Sequence, residues 1–280
     1  MIHLTPGDPV LMMVNPLSSK ETIQQVRVEL GLDKPLYIQY VSFMKRILTG
    51  DLGKSLYTHE RISDMILQRL PNTVTLGIAS LIFTFVLSIP AGVISAVRRR
   101  TAIDHVCVVL SLIGLAIPQF WLGLILILFF SVKLGWFPVA GYTGLKHLVL
   151  PAITLGAYGT AITARLTRSS MLEVIRKDYI RTARSEGIDE KTILYKHALK
   201  NALIPIISLF GLQLGWLVGG AVMVEYVFNR PGLGRLLVES IYLRDFPVVQ
   251  VAILYLVISV ILANLVADIL YALADPRIKY

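Results

Sequence analysis

Five stretches of this chain, at 73–97, 106–132, 148–166, 204–227 and 248–273, are long, apolar and nearly free of charge. A hydrocarbon core about 30 Å thick is crossed by roughly 20 apolar residues of helix. Each stretch meets that length, so an all-α, polytopic membrane protein is the architecture these blocks allow. Pro90, Pro118, Gly156 and Gly215 fall inside them, and membrane helices tolerate such residues better than soluble ones do.

The remaining composition agrees. Of 280 residues 55% are hydrophobic and only 16% charged, against about a quarter charged in soluble chains. The net charge of +9 does not point to nucleic acid, because the basic residues sit in loops between apolar blocks, as the positive-inside rule describes. Cys107 is the single cysteine, which excludes an internal disulfide. The histidines (His3, His59, His105, His147, His197) are scattered, with no spacing that suits a metal site.

Charge placement sets an orientation. Arg98, Arg99 and Arg100 follow the first block, and the loop after the third holds Arg165, Arg168, Arg176, Lys177, Arg181, Arg184, Lys191, Lys196 and Lys200. Both segments are expected in the cytoplasm, together with a tail at 274–280. That arrangement leaves residues 1–70 outside. They contain no long apolar run and no export signal, and so they call for a further membrane helix ahead of Met1. The expected organisation is an external segment at 1–70, a transmembrane domain at 71–273 and the short tail.

The loop after the third block reads as helix, break, helix. Gly187 is suited to the left-handed conformation that ends a helix, and Asp189 to capping the next. Pro205 is tolerated in the first turn of the following span. Arg181-Thr182-Ala183, then Gly187, then His197-Ala198-Leu199-Lys200-Asn201-Ala202 and Ile204-Pro205 resemble the EAA loop of ABC importer permeases. The form is that of the dipeptide/oligopeptide/nickel branch. Only Ala183 and Gly187 match the general pattern strictly, and the distance to Pro205 is longer.

The resemblance covers nearly the whole chain. Pro6-Gly7-Asp8-Pro9, Leu30 to Leu36, Gly50 to Ser55, Arg69-Leu70-Pro71-Asn72-Thr73, Glu225-Tyr226-Val227-Phe228, Pro231-Gly232-Leu233-Gly234 and Asp275-Pro276-Arg277 occur in the family's order. It implies a permease subunit of the bacterial inner membrane that is not itself an enzyme. A second homologous permease would share the membrane path for short peptides, with a nickel cargo as the alternative within the family. Two cytoplasmic ATPases would bind ATP and magnesium, so that this chain carries no cofactor, and an external solute-binding protein would deliver cargo. Membrane lipid is the remaining partner, and nucleic acid is none. The residues implied for ATPase coupling are Arg181, Ala183, Arg184, Gly187 and Asp189.

Other features are weighed on their own chemistry. Gly53-Lys54-Ser55 resembles the end of a phosphate-binding loop, but Leu48 stands where the leading glycine is required; it reads as a turn. Gly211, Gly215 and Gly219 recur every four residues, as do Gly156, Thr160 and Ala164, a spacing that lets helices approach closely in lipid. Gln119 and Gln213 are polar groups inside spans and candidates for the substrate path. A secondary transporter would show internal repeats and broken, charged helices at mid-membrane. An intramembrane enzyme would need a nucleophile–base or metal set on facing helices. Neither set of features is found.

Overall fold

In the computed structural model, Val10, residues 19–29, Gly31 and residues 33–274 are described. The motifs at Pro6-Gly7-Asp8-Pro9 and Asp275-Pro276-Arg277 lie outside the described residues. The helices are α1 (Lys20–Glu29), α2 (Leu36–Leu48), α3 (Ile62–Val97), α4 (Ala102–Ala116), α5 (Gln119–Lys133), α6 (Lys146–Val174), α7 (Asp178–Ser185), α8 (Glu190–Ala202), α9 (Ile204–Val227), α10 (Leu233–Tyr242) and α11 (Phe246–Ala274). Among the described residues the only β pairing is an isolated bridge between Lys54 and Arg61.

Among the described residues three helices are long and apolar enough to cross a membrane without interruption, α3, α6 and α11 within Phe246–Ile269, and the number rises to five if each bent pair is one span. The block at 106–132 is one such pair. The chain bends by 110° between α4 and α5, so the single straight helix expected there is corrected to a broken one. The cause is Pro118: the residue before a proline is pushed out of the helical region, and Ile117 is extended at φ −78°, ψ 125°. At 1.5 Å per residue, α4 with its 15 residues is only about 22 Å long. It does not span a bilayer alone.

A second correction concerns helix ends. α3 begins at Ile62, well before the apolar run, with Asp64 in its first turn, where a carboxylate complements the helix dipole. α6 continues to Val174, and Arg165 and Arg168 therefore lie on a membrane helix rather than in the basic loop. Apolar length alone does not register such polar extensions.

The chain divides into two compact units, one of residues 1–70 and 236–255, the other of residues 71–235 and 256–280. In the first, the turn expected at Gly53-Lys54-Ser55 lies just after it, at residues 56–58, and Lys54 itself pairs with Arg61 in the isolated bridge. Gly50, Gly53 and His59 take positive φ, and Ser55 N–H donates to the Glu60 carbonyl at 2.9 Å. The Ser55 hydroxyl bonds the Asp245 carboxylate, which also accepts from Leu56 N–H at 3.3 Å. Ser55 is thus buried structure in this unit.

In the second unit α3 and α6 meet through small residues. A Cβ on Gly92 would lie 2.6 Å from the Ala164 carbonyl oxygen, and one on Gly156 would lie 2.8 Å from that of Ser80. Thr84 hydroxyl donates to the Gly156 carbonyl at 3.1 Å. The close approach expected of Gly156 and Ala164 is therefore made with α3.

Candidate functional site

The loop at 178–205 is built from its own residues first. α7 ends in a glycine-terminated cap: Gly187 N–H donates to the Arg184 carbonyl at 3.1 Å and Ile188 N–H to that of Ala183 at 3.2 Å. That pattern needs a left-handed residue after the helix, and Gly187 has φ +77°. Asp189 then caps α8, its carboxylate accepting from Thr192 N–H at 3.3 Å. Arg184 bridges the turn with a two-pronged contact to Glu190, at 2.7 and 3.1 Å.

That contact holds the Glu190 carboxyl below the usual glutamate range, through its hydrogen bonds to Arg184. A carboxyl lowered on folding contributes above its unfolded value and stops contributing as pH falls through the lowered one. The bridge is therefore present at neutral pH. Asn201 adds a third tie between α7 and α8, donating to the Tyr179 hydroxyl at 2.8 Å.

One face of the loop is anchored. Ile180, Ala183, Ile193, Ala198 and Ala202 are buried in one apolar cluster with Val93 and Ala96 of α3 and Met171 and Val174 of α6. Ile180 and Ile193 are fully buried, each worth about 1.5–3 kcal/mol of apolar burial. The opposite face, with Arg181, Arg184, Gly187 and Asp189, is exposed. Of the coupling residues expected from sequence, Ala183 alone points inward, where a larger side chain would disturb the anchor.

Gln119 and Gln213 are brought together. Both line one cavity of about 190 Å³, with Thr84, Leu155, Tyr158 and Gly159 among the other walls. Gln213 donates to the Thr163 hydroxyl at 2.7 Å. Gln119 approaches the Leu155 carbonyl at 3.4 Å. The side chains just named carry no formal charge, so the cavity presents amide and hydroxyl groups beside apolar walls.

The glycines on α9 divide. A Cβ on Gly215 would lie 2.9 Å from Asn264 Oδ1, whereas one on Gly219 would meet nothing within 4 Å among the described residues. The surroundings of Gly211 lie outside the described residues. Gly220, not singled out by the four-residue spacing, is the one that adjoins Gln119 and Leu155.

Two polar clusters were not foreseen. Asp104, buried at the start of α4, accepts from Arg168 Nε at 2.7 Å and Nη2 at 2.9 Å, from Ser95 hydroxyl at 2.6 Å and from Arg100 N–H at 2.9 Å. Glu225, wholly buried, accepts from Thr73 hydroxyl at 2.6 Å, Gly234 N–H at 2.8 Å and Arg235 N–H at 3.2 Å. The sequence signal for both is an isolated acid near the end of an apolar block, Asp104 just before 106–132 and Glu225 inside 204–227.

Comparison with known proteins bears on this geometry. Residues 88–280 match the family described as "Binding-protein-dependent transport system inner membrane component", and residues 1–77 match its N-terminal counterpart. The chain belongs to this family. It is a permease subunit of an ABC importer, a transport component rather than an enzyme, and its place is the bacterial inner membrane. Membership implies ATPase and binding-protein partners.

The permease is 43% identical over 279 residues to the glutathione transport system permease protein GsiC of Escherichia coli (strain K12), covering 100% of this chain and 91% of that one. It is 42% identical over the same length to the protein of that name from Shigella boydii serotype 4 (strain Sb227). Among solved structures, the inward-facing MetNI methionine ABC transporter superposes with a TM-score of 0.65 at 23% identity, covering 75% of this permease and 96% of that chain. At that identity the likeness establishes the fold.

Proposed function

We propose that this permease pairs with a second, homologous permease to form the membrane path for short peptides, and that two cytoplasmic ATPases drive it through the loop at 178–205. The observation that carries the reading is the two-faced loop. Its apolar side is seated on α3 and α6, and its exposed side presents Arg181, Arg184, Gly187 and Asp189. A rigid two-helix element of this kind passes a displacement of its outer face to the helices it is packed on, because packed cores switch between discrete arrangements rather than deform. Residues 1–70 lie outside the membrane in this reading, receiving cargo from the binding protein, residues 71–273 form the transmembrane domain, and 274–280 are a cytoplasmic tail.

Short peptides are the cargo class that the glutathione permeases at 42–43% identity support. The uncharged cavity supports the same class. Gln119 and Gln213, with Thr84 and Tyr158, offer donors and acceptors that suit passing amide groups without trapping either terminus by charge. We place that cavity on the substrate path.

The test is reconstitution of this permease with its operon partners in proteoliposomes. Radiolabelled glutathione, trialanine and nickel are offered with and without ATP inside. ATP-dependent uptake of either peptide is the expected result. Uptake of nickel alone would replace the peptide reading, and uptake driven by a proton gradient without ATP would overturn the mechanism.

A further inference from the structure

The cluster around Asp104 joins four pieces of chain at one point. Ser95 lies near the end of α3, Arg100 in the turn that follows, Asp104 in the first turn of α4 and Arg168 on α6. Asp104 is 4% exposed, and both of its oxygens are used. The guanidinium engages them side by side, the geometry that adds direction as well as strength to an ion pair. Arg100 is held at φ +64°, a left-handed conformation uncommon for a residue with a side chain, and its N–H reaches the carboxylate. So the arginine-rich turn is folded around this acid.

Arg168 stands one helical turn before Met171, and Met171 and Val174 belong to the apolar cluster that seats Ile180, Ala183 and Ile193 of the loop. α4, by contrast, supplies no residue to that cluster. At this end α4 is joined to α3 by the turn at 98–101 and to α6 by the buried Asp104–Arg168 pair, while further along α4 Gly114 packs on Ala161 of α6. At its other end α4 leads through Ile117 and Pro118 to Gln119, a wall of the cavity.

We propose that the Asp104–Arg168 pair is the positioning contact that makes α4 follow α6, so that displacement of the loop is carried to the hinge at Pro118 and to the cavity at Gln119. The proposal rests on the coupling assigned to the loop. Neither residue touches cargo. Their role is to keep two helices in one moving body, and a connected chain of contacts acquires that meaning only from a measurement on the two states.

Cys107, on α4 and the only cysteine, serves as one spin-label site; Glu173→Cys on α6, an exposed position whose surface ion pair with Lys177 contributes little, serves as the other. The distance between them is measured in the assembled importer, nucleotide-free and after trapping with ATP and vanadate. It is expected to stay fixed in the otherwise unaltered protein. In Arg168→Met it should shift on trapping by about 2 Å or more, the scale of helix displacements in switching proteins. The double variant Asp104→Asn with Arg168→Met leaves no unpaired buried charge and keeps an amide to partner the Ser95 hydroxyl and Arg100 N–H, and should accumulate normally yet shift as Arg168→Met does.

A distance fixed in all variants, or one that shifts already in the unaltered protein, overturns the proposal. So does a double variant whose distance stays fixed, since apolar packing would then suffice. Recovery of the ATPases is followed in every sample. Their absence from the unaltered complex would refute the coupling reading itself, and this inference with it. Their presence with the wrong distances would refute the inference alone.

Discussion

The Thr73 hydroxyl donates to the Glu225 carboxylate at 2.6 Å, joining positions 152 residues apart. Thr73 Oγ1 in turn accepts from Leu233 N–H at 2.9 Å. The carboxylate's other oxygen takes the N–H groups of Gly234 and Arg235 at the start of α10, where a helix terminus has donors to satisfy. Three motifs that the sequence presents separately thus meet at one buried acid.

Replacing that acid tests its structural role. Glu225→Ala would strand the Thr73 hydroxyl and two amides in a buried place, at about 1–3 kcal/mol for each unsatisfied group. Glu225→Gln keeps one acceptor oxygen and should cost less. Thermal unfolding in detergent is expected to rank the unaltered protein above Gln, and Gln above Ala. Equal melting temperatures would remove Glu225 from the account. Gly232→Ala should resemble the alanine variant, because its Cβ would overlap the Glu225 carboxyl group.

Helix packing gives a paired prediction on glycines. Gly92→Val should abolish accumulation in the membrane, since its Cβ alone would press on the Ala164 carbonyl and neither backbone can yield. A Cβ on Gly219 meets nothing within 4 Å among the described residues, and Gly219→Leu should accumulate normally. If the small face of α9 packs on the second permease, Gly219→Leu will instead lower co-purification of that subunit. Normal recovery of the partner would leave Gly219 without a packing role.

Topology is testable by labelling intact cells with a membrane-impermeant maleimide in a Cys107→Ser background. Tyr57 is 67% exposed and serves better than the buried Ser55. Tyr57→Cys should label, while Arg99→Cys and Ser185→Cys stay protected until the cells are opened. The reverse pattern would invert the orientation drawn from the arginines.

What was legible in the sequence was local. Gly187, Asp189 and Pro205 each fix the backbone within a few residues, and the loop folds as their types require. Apolar length located the blocks but not their ends, because the polar starts and finishes of α3 and α6 break no helix. Pro118 was visible, yet a proline inside an apolar block is tolerated too often in membranes to announce a 110° bend. Asp104 with Arg168, and Thr73 with Glu225, were invisible as pairs. Their partners are 64 and 152 residues away, and only the crossing of helices decides which polar groups meet. Gln119 and Gln213 were found one by one as polar residues in spans; their shared cavity is a property of the fold.

The central claim is that the loop around Gly187 couples this permease to its ATPases, and Gly187→Val measures it. At φ +77° a β-branched side chain is strained on backbone grounds alone, and no neighbour among the described residues crowds its Cβ. The damage should therefore stay in the turn, leaving the apolar anchor at Ile180 and Ile193 in place. ATP-driven uptake of the transported peptide in proteoliposomes, with ATPase co-purification from the same membranes, is the direct readout. The expected result is normal accumulation of the permease, uptake reduced at least tenfold and depleted ATPases. Normal uptake with full ATPase recovery would contradict the account and leave the loop an ordinary basic connector.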